Sequence, residues 1–254
     1  MTLYKYLIAL LLSCCVFQVQ ANEIRVAAAA NLRYVLPELA ELFQQQTGHR
    51  LAVTYAASGT LTTQIQHGAP FELFLSASPD YVQRLIKAEL TEGEAINYAQ
   101  AQLALFASNH SKLSVDAGLQ GLKEVLFRGD LNKVAIANPR HAPYGQVAKT
   151  VLEEAGIWQL IQPHLLMAEN ATQAVQFTLS STVDAGFVPY AEIIQPQLAS
   201  QGRFIKLDVK LQQQAVLLNG ASQQAKLFLA FIQIMDAHDI FIKHGFLVAA
   251  EAKK

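Results

Sequence analysis

The chain has 254 residues and a mass of 27.8 kDa, with 19 Lys and Arg against 20 Asp and Glu, 52% hydrophobic residues and 15% charged residues. Charged residues make up about a quarter of an ordinary soluble domain, so surface polarity here must come from Gln, Ser, Thr and Asn, and the apolar content excludes disorder. A net charge of −1 without a Lys/Arg block leaves no electrostatic footprint for nucleic acid or a membrane surface.

Residues 1–21 read as an export signal. Lys5 is the only charge before the apolar run Leu7 to Phe17, and Val19-Gln20-Ala21 places small residues at −3 and −1 for cleavage after Ala21. The run is too short to remain as a membrane span. A competing reading takes Leu11-Leu12-Ser13-Cys14 as a lipoprotein box. Cleavage after Ala21 removes one Lys and no acid, so 18 minus 20 gives a mature charge of −2. It also removes Cys14 and Cys15, which excludes a disulfide framework, a cysteine nucleophile and a thiolate metal site.

The rest alternates strands and helices. Ile24 to Ala30 is a β-compatible run, and Leu32, Val35, Leu36, Leu39, Leu42 and Phe43 repeat at helical spacing. Pro37 conflicts with a helix beginning at Leu32: as its sixth residue it would lack a needed N–H, so the first turn is irregular or the helix kinks. Leu51 to Tyr55 predicts a strand, Ser58 to about His67 a helix, Phe71 to Ser76 a strand and Pro79 to Leu90 a helix. Residues 98–107 and Val134 to Ala137 predict strands, Tyr144 to Glu154 a helix, Leu165 to Ala168 a strand and Ala171 to Ser180 a helix. Ala185 to Val188, Phe204 to Leu207 and Ala215 to Leu218 then read as strands, and residues 222–244 as one helix. Repeated β-α units require a mostly parallel sheet covered on both faces. The expectation is an α/β protein of two lobes joined by crossing strands: 22–101 and 102–204, with 205–254 supplying a crossing strand and C-terminal helices that return to the first lobe.

Four strand-to-helix turns carry only small or neutral polar residues: Ala30-Asn31, Ala57-Ser58-Gly59-Thr60, Ala142-Pro143-Tyr144-Gly145 and Asn170-Ala171-Thr172. Ligands of open α/β sheets bind beyond the carboxyl ends of strands, where helix N-termini present unpaired N–H groups. Several such turns facing one cleft would make an anion site from dipoles. The plainer alternative makes Asn31 and Ser58 ordinary N-caps, each worth about 1 kcal/mol to its helix. Enzyme constellations are missing: there is no G-x-S-x-G elbow, P-loop or H-E-x-x-H, and the seven histidines are scattered. Ferric-ion binding would want adjacent tyrosines, and Tyr34, Tyr55, Tyr144 and Tyr190 include no such pair.

The stretches AAAANLRYVLPELAELF (27–43), YAASGTLTTQIQHGAPFELFLSAS (55–78), VAIANPRHAPYGQVAKTVLEEAGIW (134–158), AENATQAVQFTLSSTVDAGFVPY (168–190) and FIKHGF (241–246) resemble the periplasmic molybdate-binding proteins of ABC transporters. The A-S-G-T-L turn followed by G-A-P-x-x-L-F-x-S-A is the most specific piece. The resemblance implies a type II periplasmic-binding-protein fold. Two lobes, each a mostly parallel sheet flanked by helices, close on one tetrahedral oxyanion that an inner-membrane permease then receives. It implies a monomeric, non-enzymatic protein of the periplasm with no cofactor beyond its ligand, molybdate or tungstate, and no metal-cation ligands. By position it assigns Asn31 and Ser58 as ligands through side chain and backbone, and Tyr144 and Ala171 through backbone N–H, with Ala30 adding its own. One branch of the family uses a tyrosine directly after the G-x-V strand. Here that slot is Pro189, and Tyr190, one place later, is expected to miss the anion.

The chemistry agrees. Molybdate and tungstate are fully deprotonated near neutral pH and only accept hydrogen bonds, so their site needs donors and no carboxylate. Phosphate keeps a proton and would favour a buried acid. Sulfate is the close competitor and, with thiosulfate, the alternative ligand. A secreted hydrolase built on Ser58 and a histidine is the alternative from another class.

Overall fold

The computed structural model describes residues 23–248, so the signal segment, its cleavage point, Cys14 and Cys15 lie outside the described residues. The strands are β1 (Ile24–Ala29), β2 (Leu51–Ala56), β3 (Leu73–Ser76), β4 (Thr91–Ser108), β5 (Val134–Ala137), β6 (Leu165–Ala168), β7 (Ala185–Pro189) and β8 (Gly202–Leu218). They form one sheet in the order β2-β1-β3-β8-β4-β7-β5-β6. Each end is a parallel α/β unit: β1 pairs in parallel with β2 and β3, and β5 with β6 and β7. The centre is antiparallel. β4 and β8 run past each other from Thr91↔Leu218 to Ser108↔Gly202, with register shifts after Glu92, Asn97 and Gln102.

These two long strands belong to both halves of the molecule. The boundaries expected at 101/102 and 204/205 fall inside them. The strand expected over 98–107 extends over 91–108, and the two strands expected at 204–207 and 215–218 are one. Between the buried stretches the β8 side chains are partly exposed, so its apolar runs stop where each core stops while the ladder continues. β3, β5 and β7 are buried along their whole length, which is why they read as unbroken apolar runs.

The helices are α1 (Leu36–Thr47), α2 (Ser58–Gln66), α3 (Pro79–Lys87), α4 (Gln120–Phe127), α5 (Pro143–Glu154), α6 (Trp158–Ile161), α7 (Ala171–Thr178), α8 (Tyr190–Ile193), α9 (Pro196–Ala199), α10 (Gln223–Phe231) and α11 (Met235–Lys243). The Pro37 conflict resolves as an irregular start. Ala30–Leu32 form a 3₁₀ turn, α1 begins at Leu36, and Pro37 sits in its first turn, where an N–H has no partner in the helix anyway. The single helix expected over 222–244 is two, interrupted where Ile234 becomes extended. The break lets α11 set Phe241 against Tyr98, with ring centroids 5.4 Å apart. α10 packs on α1 through Phe228 and Phe231, 5.0 and 5.3 Å from Phe43. Such aromatic pairs contribute about 0.5–1.5 kcal/mol each beyond their buried area. The C-terminal helices thus pack against α1 and β4. Among the described residues no helix is long and apolar enough to cross a membrane.

Candidate functional site

The parallel arrangement of β1, β2 and β3 points their carboxyl ends the same way, and β5 and β6 do the same in the other half. The segments leaving those ends meet at one small cavity. It is lined by Ala29, Ala30 and Asn31, by Ala56, Ala57, Ser58 and Ala77 from the first half, and by Ala142, Pro143, Tyr144 and Ala171 from the second. All five residues assigned from the sequence, Ala30, Asn31, Ser58, Tyr144 and Ala171, are therefore brought together. Tyr190 is not. It starts α8 with its ring edge-on to Phe204 at 6.2 Å and Lys206 Nζ 5.3 Å from its centre.

The cavity is tight and uncharged. Its volume is about 200 Å³, against 640–820 Å³ for surface grooves elsewhere. The scale suits a compact ligand better than a peptide. Its walls are mostly alanine methyls, which exclude water while letting main-chain N–H groups approach.

The capping pattern shows what the site lacks. The residues preceding the 3₁₀ turn, α2 and α5 are Ala29, Ala57 and Ala142, and none makes a side-chain cap. Alanine at this position costs about 1 kcal/mol relative to Ser, Asp or Asn. Side-chain caps occur at three other starts, where Ser78, Asn170 and Ser222 accept from Asp80, Gln173 and Ala225, and the Asn170 cap precedes Ala171 of the cavity wall. Asn31 and Ser58 are thus not ordinary N-caps, and the uncapped starts of α2 and α5 bring their positive dipole ends to one cavity beside the 3₁₀ turn.

Ser58 and Asn31 each keep a donor in reserve. Ser58 Oγ accepts the Ala77 N–H at 3.0 Å, which occupies a lone pair and leaves its proton free to turn inward. Asn31 is buried and spends one amide N–H on Gln213 Oε1 at 3.0 Å, leaving the other. Tyr144 is buried under the cavity. Desolvation, then the nearby Glu192 and Tyr98, push its phenol far above the usual range, so it stays neutral.

The two halves are shut across the cavity. Gly59 N donates to His141 O at 2.9 Å, Gln146 Nε2 to Tyr81 Oη at 3.1 Å, and Thr172 Oγ1 lies 3.1 Å from Ala30 O. Gly59 is required there: a Cβ would fall 2.6 Å from His141 O and 2.8 Å from the Tyr81 ring. Sequence reasoning quoted Gly59 and Thr172 only as members of their turns. It missed Gln213 and Glu192 altogether. The available signal for Glu192 was a lone acid in the apolar run Ala191-Glu192-Ile193-Ile194.

Two α/β halves sharing a pair of crossing strands, with a small cavity where strand ends from both halves converge, define a type II periplasmic-binding protein. The chain belongs to the bacterial extracellular solute-binding protein family, whose model matches residues 24–247. It is 31% identical over 231 residues to the molybdate-binding protein ModA of Rhodobacter capsulatus, covering 89% of each chain. Among solved structures, the periplasmic molybdate-binding protein of Azotobacter vinelandii matches with a TM-score of 0.81 at 29% identity, over 90% of this chain and 100% of that one. The sulfate-binding protein SubI of Mycobacterium tuberculosis H37Rv shares the fold at 15% identity, with a TM-score of 0.74 over 91% of this chain and 88% of that one.

Proposed function

We propose that this protein is the periplasmic receptor of an ABC transporter for molybdate and tungstate, binding one oxyanion in the cavity and delivering it to a membrane permease. The observation that carries the reading is the charge-free cavity at which the uncapped starts of α2, α5 and the 3₁₀ turn converge from both halves. A dianion that only accepts hydrogen bonds supplies the missing caps of both halves at once, which favours their closing on it. Phosphate would bring a proton into a wall with no carboxylate to accept it. Fixed dipoles without a lysine or arginine stabilise the charge while leaving the ion exchangeable, as a carrier needs. Ala30, Asn31, Ser58, Tyr144 and Ala171 are the ligands in this reading, and Tyr190 is not. The protein acts as a monomer, requires no cofactor, and binds rather than catalyses. The named molybdate-binding relatives support the choice of ion.

Calorimetric titration of the mature protein with molybdate, tungstate, sulfate and phosphate tests the reading. Molybdate at 100 times its dissociation constant adds about 2.7 kcal/mol of stability, or roughly 5–11 °C in melting temperature for a domain of this size. Sulfate binding tighter than molybdate would overturn the assignment.

A further inference from the structure

Glu192 on α8 is 1% exposed and lies behind the cavity wall rather than in it. Its Oε1 is 2.7 Å from Thr172 Oγ1, and its Oε2 is buried with no hydrogen-bond partner among the described residues. Thr172 Oγ1 is at the same time 3.1 Å from the carbonyl oxygen of Ala30, in the other half. A hydroxyl carries one proton. An ionised Glu192 and a carbonyl are both pure acceptors, so Thr172 could serve only one of them.

We infer that Glu192 is a positioning residue for the bound oxyanion: as a neutral acid it donates to Thr172, whose own proton then latches the Ala30 carbonyl across the cleft. The inference rests on the proposed oxyanion site. The Ala30 carbonyl shares its peptide with the N–H of Asn31, which in a trans peptide points the opposite way. Latching one end therefore aims the other, and the chain Glu–OH, Thr–OH, C=O, N–H polarises each donor in turn. Burial holds the Glu192 carboxyl up, to about 8, against the lowering effects of the Thr172 hydroxyl and of Arg33. The other titratable groups that feel it are the phenols of Tyr144, at the start of α5, and Tyr34, both raised in turn by its charge.

The latch gives a direction with pH. With the halves apart, the Thr172 proton is free to support an ionised Glu192. Closing diverts it to Ala30, so the carboxyl is harder to ionise in the closed form, and closing takes up a proton. Affinity is then highest at low pH and falls as pH rises, levelling once pH passes the closed-form value near 8. The full drop is the worth of one hydrogen bond to a charged group, about 10- to 100-fold.

The test is calorimetric titration with molybdate at pH values from 6 to 9, in buffers of differing ionisation enthalpy. The wild type should show that fall together with net proton uptake. Glu192→Gln carries a permanent donor and should show neither. Thr172→Val should weaken binding about tenfold or more by leaving the buried Glu192 hydroxyl without an acceptor and the Ala30 carbonyl with only the Arg33 N–H of its own turn, and Thr172→Ser should restore it. A wild-type profile that is flat, or a Glu192→Gln profile that keeps the slope, overturns the relay. Carbon-13 NMR of the Glu192 carboxyl gives a second readout that needs no variant: it should remain protonated to about pH 8 in the molybdate-saturated protein. If the wild type binds no molybdate, the functional reading falls. If molybdate binds but Glu192 ionises in the ordinary carboxylate range in the saturated protein, the relay falls and the functional reading stands.

Discussion

Gly59→Ala should separate closing from folding. Gly59 is the second residue of α2, with an ordinary helical backbone, so alanine there should stabilise the helix by about 0.5–1 kcal/mol. In the closed arrangement, however, the new methyl carbon stands 2.6 Å from His141 O, where ordinary contact begins at 3.4 Å. Two elements from opposite halves must therefore separate by the difference, about 0.8 Å, because the obstacle is main chain and cannot rotate away. The Gly59 N to His141 O distance of 2.9 Å would lengthen to about 3.7 Å, beyond a hydrogen bond. Losing that bond costs about 0.5–1.5 kcal/mol, and pulling one charge-assisted donor off the anion a further 1.5–3 kcal/mol or so. Affinity should fall by about 2–4.5 kcal/mol, roughly 30- to 2,000-fold, while the melting temperature of the unliganded protein registers separately the strain against the buried Tyr81 ring of the same half, 2.8 Å from the new carbon. Calorimetry with molybdate and a melting curve on the same sample read both quantities. An affinity within about threefold of wild type would refute the claim that this contact governs closure.

Ser58→Ala and Asn31→Ala should each weaken molybdate about 10- to 100-fold, and Ser58→Ala should also lower the melting temperature by stranding the Ala77 N–H. A stability loss with unchanged affinity would return both residues to purely structural roles. Tyr144→Phe should leave affinity within about threefold, since the phenol oxygen has no hydrogen-bond partner among the described residues and Tyr144 acts through its main chain; abolished binding would make the phenol a ligand. Tyr190→Phe should change affinity by less than about threefold, because the ring is engaged with Phe204 and Lys206, and a tenfold loss would place its hydroxyl on the anion. Hydrogen bonds from Lys243 and His244 hold Glu38 below the usual carboxylate range, so it adds stability above its unfolded value that disappears as pH falls through the folded one. Glu38→Gln should therefore lower the melting temperature at pH 6 more than at pH 3.

The elements flanking the cavity were legible because their signals are local. β5 and β6 match their expected bounds, and α2 begins at Ser58 as read. Short α6, α8 and α9 carry too few residues for periodicity, and α4 was passed over altogether. The site's five assigned residues were reached through turn chemistry and a family pattern. Glu192 and Gln213 act from other segments, with Glu192 bonded 20 residues away and Gln213 182 residues away, and no spacing rule connects such partners. The interruption at Ile234 was hidden because apolar residues continue through it.

The placement of β8 between β3 and β4 has a consequence for biogenesis. β3 and β4 follow one another along the chain yet never pair in this sheet, because residues 202–218 occupy the gap. During synthesis the first half can form β1, β2 and β3 but has no central strand to complete its layer until most of the polypeptide exists. Pairings of such long sequence separation are entropically late and slow. A nascent chain of this design stays unfolded for most of its production, with its apolar segments open to a holding chaperone, and gains both halves of its ion trap nearly together.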